Sequence, residues 1–154
     1  MSLRIIAIGR ARDTPESALF ARYATRIRPV LTLTELPDGK GAPAEVKRRE
    51  SEALLAALPP RAFAVALDLA GEALDTQAFA TKLQAWLDTG RPVCFLIGGA
   101  GGLDRSVLTR ADAALSLGRM TWPHLLARAM LAEQLYRVWA ISAGHPYHRA
   151  GRPD

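Results

Sequence analysis

Short apolar runs punctuated by glycine and proline alternate with longer amphipathic stretches along the whole chain. Leu3 to Ile8, closed by Gly9, reads as a buried strand. Asp13 or Thr14 caps a helix with Pro15 in its first turn and Leu19, Phe20, Tyr23 and Ile27 inward; Pro29 ends it. Leu31 to Leu36 alternates as a strand with one wetter face. Ala44 to Leu58 is a helix, polar at its start from Glu45 to Glu50 and apolar at its end. Phe63 to Asp68 and Val93 to Ile97 are nearly unbroken apolar runs, as parallel strands covered on both faces are. Between them a helix capped by Asp75 or Thr76 carries Phe79, Leu83, Trp86 and Leu87 on one face and stops at Gly90. A short helix from Asp104 or Ser106 to about Arg110 leads to a last strand, Ala113 to Leu117.

The remainder departs from this rhythm. Gly118 to Trp122 is a loop, yet it holds Met120 and Trp122, and loops are normally polar. Pro123 then suits a helix start. From His124 to about Ile141 the apolar face is broad enough for a dimer contact through Tyr136 and Trp139. Gly144 and Pro146 stop the helix, and two of the three histidines follow in the tail. Strands and helices alternating in this way predict an α/β fold over residues 1–154, one domain with a mostly parallel sheet and helices on both faces.

Composition narrows the chemistry. At 154 residues with 49% hydrophobic content there is material for one full core. No apolar run reaches the roughly 18 residues that span a bilayer. The opening apolar run is too short for a signal peptide, so a cytoplasmic protein is expected, without a membrane partner. Cys94 is the only cysteine and sits inside a strand, as a buried small hydrophobe would; thiolate zinc sites and internal disulfides are excluded, and no metal is expected. The net charge of +5, with 17 of 20 basic residues arginine, points to an anionic partner. Arg10, Arg12, Arg22 and Arg26 are candidate phosphate contacts.

In open α/β sheets ligands bind beyond the C-terminal ends of the strands. Three such ends stand out: Leu67 to Leu69, Ile97 to Gly99, and Leu117 to Trp122. The run Gly98-Gly99-Ala100-Gly101-Gly102 lacks the lysine of a phosphate-binding P-loop and does not fit the dinucleotide fingerprint. Backbone donors with apolar cover suit a neutral or cationic adenosine ligand, such as S-adenosylmethionine, better than a triphosphate.

Three segments, FLIGGAGG at 95–102, SLGRMTWPH at 116–124 and AEQLYRVWAISAGHPYHR at 132–149, resemble the RlmH family of SPOUT-class ribosomal RNA methyltransferases. The similarity runs from the opening strand to Arg149 and includes LDLAGEALDT at 67–76. The resemblance implies a SPOUT methyltransferase fold with a C-terminal trefoil knot, a homodimer, and S-adenosyl-L-methionine bound in the knot. It implies cofactor contacts at Leu67, Gly98, Leu117, Gly118, Arg119, Met120, Thr121 and Trp122. The implied reaction is methylation of N3 of a pseudouridine in 23S rRNA within the assembled ribosome. The cofactor pocket of one subunit would meet the tail of the other, with His145, Tyr147, His148 and Arg149 in catalytic roles. His145 and His148 are candidate bases, Arg149 would hold negative charge, and Tyr147 would stack on or bond to a base. His124 stands at a helix start beside the cofactor loop.

Two departures from the family pattern are visible. Where the family commonly has Gly-Gly-Pro-Glu-Gly, this chain has Ala100 and Gly101 in place of Pro and Glu, and residues 150–154 extend past the usual end. A ribosome-binding factor of the same fold without methyl transfer, and a small adenine-nucleotide enzyme, are the alternative readings. Cofactor preference and turnover separate the three.

Overall fold

Five parallel strands form the sheet of the computed structural model, which describes residues 2–149. The 150–154 extension lies outside the described residues. The strands are β1 (Leu3–Ile8), β2 (Leu31–Leu36), β3 (Phe63–Ala73), β4 (Val93–Ile97) and β5 (Ala113–Ser116). Their order across the sheet is β2-β1-β4-β3-β5. The helices are α1 (Pro15–Ala24), α2 (Pro43–Ala56), α3 (Thr76–Asp88), α4 (Arg105–Arg110) and α5 (His124–Ser142).

The unbroken apolar strands have the expected cause. In β1, Leu3, Ile5 and Ala7 enter the core under α1, α3 and α5, while Ile6 and Ile8 enter the core under α2 and α4. Phe95 and Cys94 divide β4 in the same way. Burial pushes the Cys94 thiol above its ordinary pKa, consistent with a packing residue rather than a nucleophile. Phe63, Phe79, Trp86 and Phe95 form one aromatic cluster with centroids 5.6–6.3 Å apart.

Several boundaries differ from expectation. β3 runs on to Ala73 because it pairs with β5 twice: Leu67 and Glu72 both register with Leu115, and the residues between them bulge away. Gly71 makes this possible; a Cβ there would lie 2.8 Å from backbone atoms of Ala114 and Leu115. Leu117 falls just past β5, in the following loop. Thr14, not Asp13, caps α1: its Oγ1 accepts from the Ser17 N–H, and Ser17 Oγ answers the Thr14 N–H. Leu19 is exposed rather than inward. Glu50, expected on the polar start of α2, is 5% exposed.

After β5 the chain does not turn back at the sheet edge. Residues 117–123 cross to the far side, and α5 begins beside Gly9 at the end of β1, where a Cβ on Gly9 would lie 3.0 Å from His124 Nε2. α5 then packs between α1 and α3. Tyr136 is already buried in one chain, against Tyr23, Trp139 and Tyr147. The breadth of the α5 apolar face is therefore largely used within the chain, and Trp139 alone of that pair stays half-buried.

Candidate cofactor cleft

The three strand ends singled out in the sequence meet. A cleft of about 350 Å³ is lined by Leu67 to Leu69, by Ile97 to Leu103, and by Leu117, Gly118, Met120, Thr121 and Trp122. α5 adds His124 and Ala127, and α2 adds Lys47. Of the predicted contacts, Leu67, Gly98, Leu117, Gly118, Met120, Thr121 and Trp122 line the cleft; Arg119 belongs to the same loop but is exposed and does not. A larger cavity of about 700 Å³ lies between α1, α3 and α5 on the other side of Leu117 and Gly118. The smaller one lies at the strand ends where α/β folds bind ligands.

Backbone conformation fixes the loop that crosses the cleft. Gly118 has φ +112°, a region side-chain-bearing residues avoid. Ser116 is buried at the end of β5; its Oγ donates to the Gly118 carbonyl at 3.0 Å and accepts from the Gly118 N–H at 3.1 Å, which closes the turn. Met120 is 72% exposed and Trp122 39%, and Leu69 across the mouth is 55% exposed. Three large apolar side chains left open around one cleft suit a flat ligand or a partner surface.

The glycine run turns out to serve the turn itself. Gly102 N–H donates to the Gly99 carbonyl at 3.0 Å, and a Cβ on Gly98 would meet the Gly102 backbone at 2.7 Å. Gly99 lies against Glu50, whose Oε1 would be 2.8 Å from a Cβ there. At Gly101 the nearest neighbour of a Cβ is Lys47 Cβ at 3.9 Å. The changes at 100 and 101 thus leave the turn intact: it depends on Gly98, Gly99 and Gly102, all of which are kept.

Two charged residues that the pattern did not reveal hold this end of the molecule. Arg128 is 3% exposed; it bonds Glu35 Oε2 at 2.6 Å and donates to the carbonyls of Ile8 and Gly9 at 3.1 and 2.9 Å. It ties the start of α5 to the ends of β1 and β2. Glu50 Oε2 accepts from the Gly39 N–H at 2.8 Å and so fastens the loop after β2 beside the glycine turn. Its Oε1 has no partner among the described residues.

The tail residues are elsewhere. α5 has 19 residues, about 28 Å of helix, and none of His145, Tyr147, His148 or Arg149 lines the cleft of their own chain. The tail folds back on α5: the Tyr147 phenol donates to Glu133 Oε1 at 3.2 Å, and the Arg137 guanidinium lies 4.9 Å from the Tyr147 ring centroid. Burial, with Tyr23 and the Glu133 carboxylate nearby, pushes the Tyr147 phenol up to about 12, so it is protonated at neutral pH. Arg137 Nη1 lies 3.2 Å from His148 Nδ1. An arginine only donates, so Nδ1 accepts and Nε2 carries the ring proton. His145 Nδ1 likewise accepts, from the Tyr147 N–H at 3.2 Å.

The chemistry of the cleft suits a neutral or cationic adenosine ligand such as S-adenosylmethionine. Its walls are apolar or backbone, and its titratable lining is limited to Lys47, Asp68 and His124, with no cluster of cations for a polyphosphate. Among the described residues no group of three or more His, Cys, Asp or Glu side chains could hold a metal, and no helix is long and apolar enough to cross a membrane.

A family model described as a predicted SPOUT methyltransferase matches residues 1–148. A ribosomal RNA large subunit methyltransferase H from Gluconacetobacter diazotrophicus is 64% identical, over 98% of this chain and 99% of its own. One from Acidiphilium cryptum is 60% identical over 98% and 96%. The solved SpoU methyltransferase AviRb from Streptomyces viridochromogenes, crystallised with AdoMet, matches 88% of this chain and 57% of its own at 15% identity and a TM-score of 0.44, too slight a likeness to build on.

Proposed function

The chain belongs to the SPOUT methyltransferases, and we propose that it methylates N3 of a pseudouridine in 23S rRNA of the ribosome, a reading supported by its similarity to ribosomal RNA large subunit methyltransferases H. The observation that carries this reading is the convergence of Leu67, Gly98 and five of the six residues from Leu117 to Trp122 on one cleft at the strand ends. S-adenosyl-L-methionine supplies the methyl group as an electrophilic sulfonium. Leu67, Leu117, Met120 and Trp122 cover its adenosine, and the backbone around Gly118 meets the polar edge of the base. The whole chain acts as one domain, in the cytoplasm, where ribosomes are.

A single copy is incomplete. The helix length between cleft and tail supports a homodimer in which His145, Tyr147, His148 and Arg149 of one copy face the cleft of the other. Leu69, Met120 and Trp122, open around the cleft mouth, give that tail or the RNA something to cover. In this arrangement Tyr147 stacks on the target base rather than taking its proton, since its own proton is held tightly. N3 gives up its proton to water, and the Nε2–H donors of His145 and His148, with Arg149, stabilise the negative charge left on the base. Arg10, Arg12, Arg22 and Arg26, all exposed, hold rRNA phosphates.

The test is transfer of a labelled methyl group from S-adenosylmethionine to ribosomes from a strain lacking the protein, with mapping of the labelled nucleoside. Label in N3-methylpseudouridine is the expected result. Cofactor binding with no transfer to any ribosomal state would instead favour a ribosome-binding factor of this fold.

A further inference from the structure

The cleft carries one strong cation that its adenosine-binding walls do not need. Lys47 lines it from α2 and is half-buried, with its stem against the glycine turn at Gly101. Among the described residues its ammonium has no carboxylate partner and donates no hydrogen bond. The acids of α2 do not pair with it: Glu45 pairs with Arg48 and Arg49, Glu52 pairs with Arg48, and Glu50 holds the Gly39 N–H through Oε2 while its Oε1 lies buried against Gly99. Among the described residues no other lysine or arginine lines the cleft, and Asp68, in the bulge of β3, is its one acid. An unpaired ammonium on the wall of an otherwise apolar cleft is a ready partner for an anion that arrives with the ligand.

We propose that Lys47 binds the α-carboxylate of the cofactor's methionine part, and that Asp68 meets its ammonium. This deepens the reading of the cleft as the S-adenosylmethionine site and depends on it. A zwitterionic amino acid has one charge of each sign, and the cleft offers one lysine and one aspartate. The residue at 101 bears on this directly. An acidic side chain there, as in the family pattern, would start within 3.9 Å of Lys47 Cβ and compete for its ammonium; Gly101 leaves Lys47 free for the ligand.

The test compares two ligands by calorimetry on the full chain. S-adenosylhomocysteine has the amino-acid part; 5′-methylthioadenosine has the same adenosine and a thioether but neither carboxylate nor ammonium. Lys47→Ala should weaken S-adenosylhomocysteine by about ten- to a hundredfold, the range of one charge-assisted hydrogen bond. It should leave methylthioadenosine within about twofold, and Lys47→Arg should recover most of the loss. Equal weakening of both ligands would show that Lys47 only props the cleft, and overturn the proposal. Unchanged binding of both, with weaker binding to ribosomes, would make Lys47 an RNA-phosphate contact and overturn it equally. Wild-type protein that binds neither ligand would refute the cofactor reading of the cleft itself.

Discussion

Arg128 is the residue whose loss should reach furthest. It is buried on the first turns of α5 and joins that helix to two strands, through Glu35 on β2 and through the carbonyls of Ile8 at the end of β1 and Gly9 just after it. Breaking a buried ion pair by removing one partner costs about 3–5 kcal/mol. Two features lower that figure here. The Glu35 side chain is 24% exposed, so water reaches the abandoned carboxylate, which also keeps the Ala11 N–H at 2.8 Å. Arg128 Nε has no partner among the described residues, so the native state already bears part of its desolvation. Lost hydrogen bonds to the two carbonyls add to the cost. Arg128→Met, which keeps the stem, should therefore destabilise by about 2–4 kcal/mol. With a urea m-value of about 2 kcal/mol/M, the midpoint should fall by about 1–2 M. Tryptophan fluorescence reports the unfolding, at one protein concentration throughout because a dimer's midpoint depends on it. Glu35→Gln and the double variant complete a cycle whose coupling should be about 1–3 kcal/mol. A single-variant loss below about 0.5 kcal/mol would refute the reasoning and make the pair an incidental contact.

The two glycines at 71 and 101 make a matched pair. Gly71→Ala drives a Cβ into β5 backbone, which cannot yield, and should cost more than about 2 kcal/mol, whereas Gly101→Ala should change stability by less than about 0.5 kcal/mol. Thermal unfolding checks both, and equal midpoints would contradict the β3–β5 return. For Asp112, burial alone would raise the pKa, but the Ala64 N–H and the Arg110 and Arg91 guanidiniums outweigh it, and the carboxyl is held below its usual value. A depressed pKa gives stability that is present above the unfolded value and lost as pH falls through the folded one. Asp112→Asn should thus be less stable than wild type at pH 7, and the gap should close as pH drops below about 4. A gap that does not vary with pH would remove the charge from the explanation.

Periodicity revealed most of the scaffold because β1, β3 and β4 are covered on both faces, and such strands cannot be mistaken for half-exposed ones. Cys94 was readable as packing for the same reason. What it hid were the places where a local signal and a tertiary demand disagree. Asp68 reads as the end of a strand and Gly71 as part of a loop after it, and only the backbone contact of Gly71 with β5 shows why the strand resumes. Glu50 looks like one more charge on a solvated helix start, yet it is buried against Gly99. Arg128 stands in a helix that reads as apolar, and nothing local marks it as the tie to β1 and β2. The cleft was legible because its three walls are strand ends carrying glycine or misplaced apolar residues. Lys47 was not, since it reaches the cleft from a different element. The knot belongs to what the family resemblance implies; no period or composition encodes the path a chain takes through its own loops.

The central claim is that the cleft of one copy and the tail of another make one methyl-transfer site. Trp122→Ala damages the cleft, and His148→Ala damages the tail. Each variant alone should transfer little labelled methyl to ribosomes. After the two are mixed and allowed to exchange subunits, half of the dimers are mixed and each has one intact site, so activity should return to about a quarter of wild type. No recovery, with mixed dimers shown to have formed, would mean that each chain completes its own site and would contradict the account.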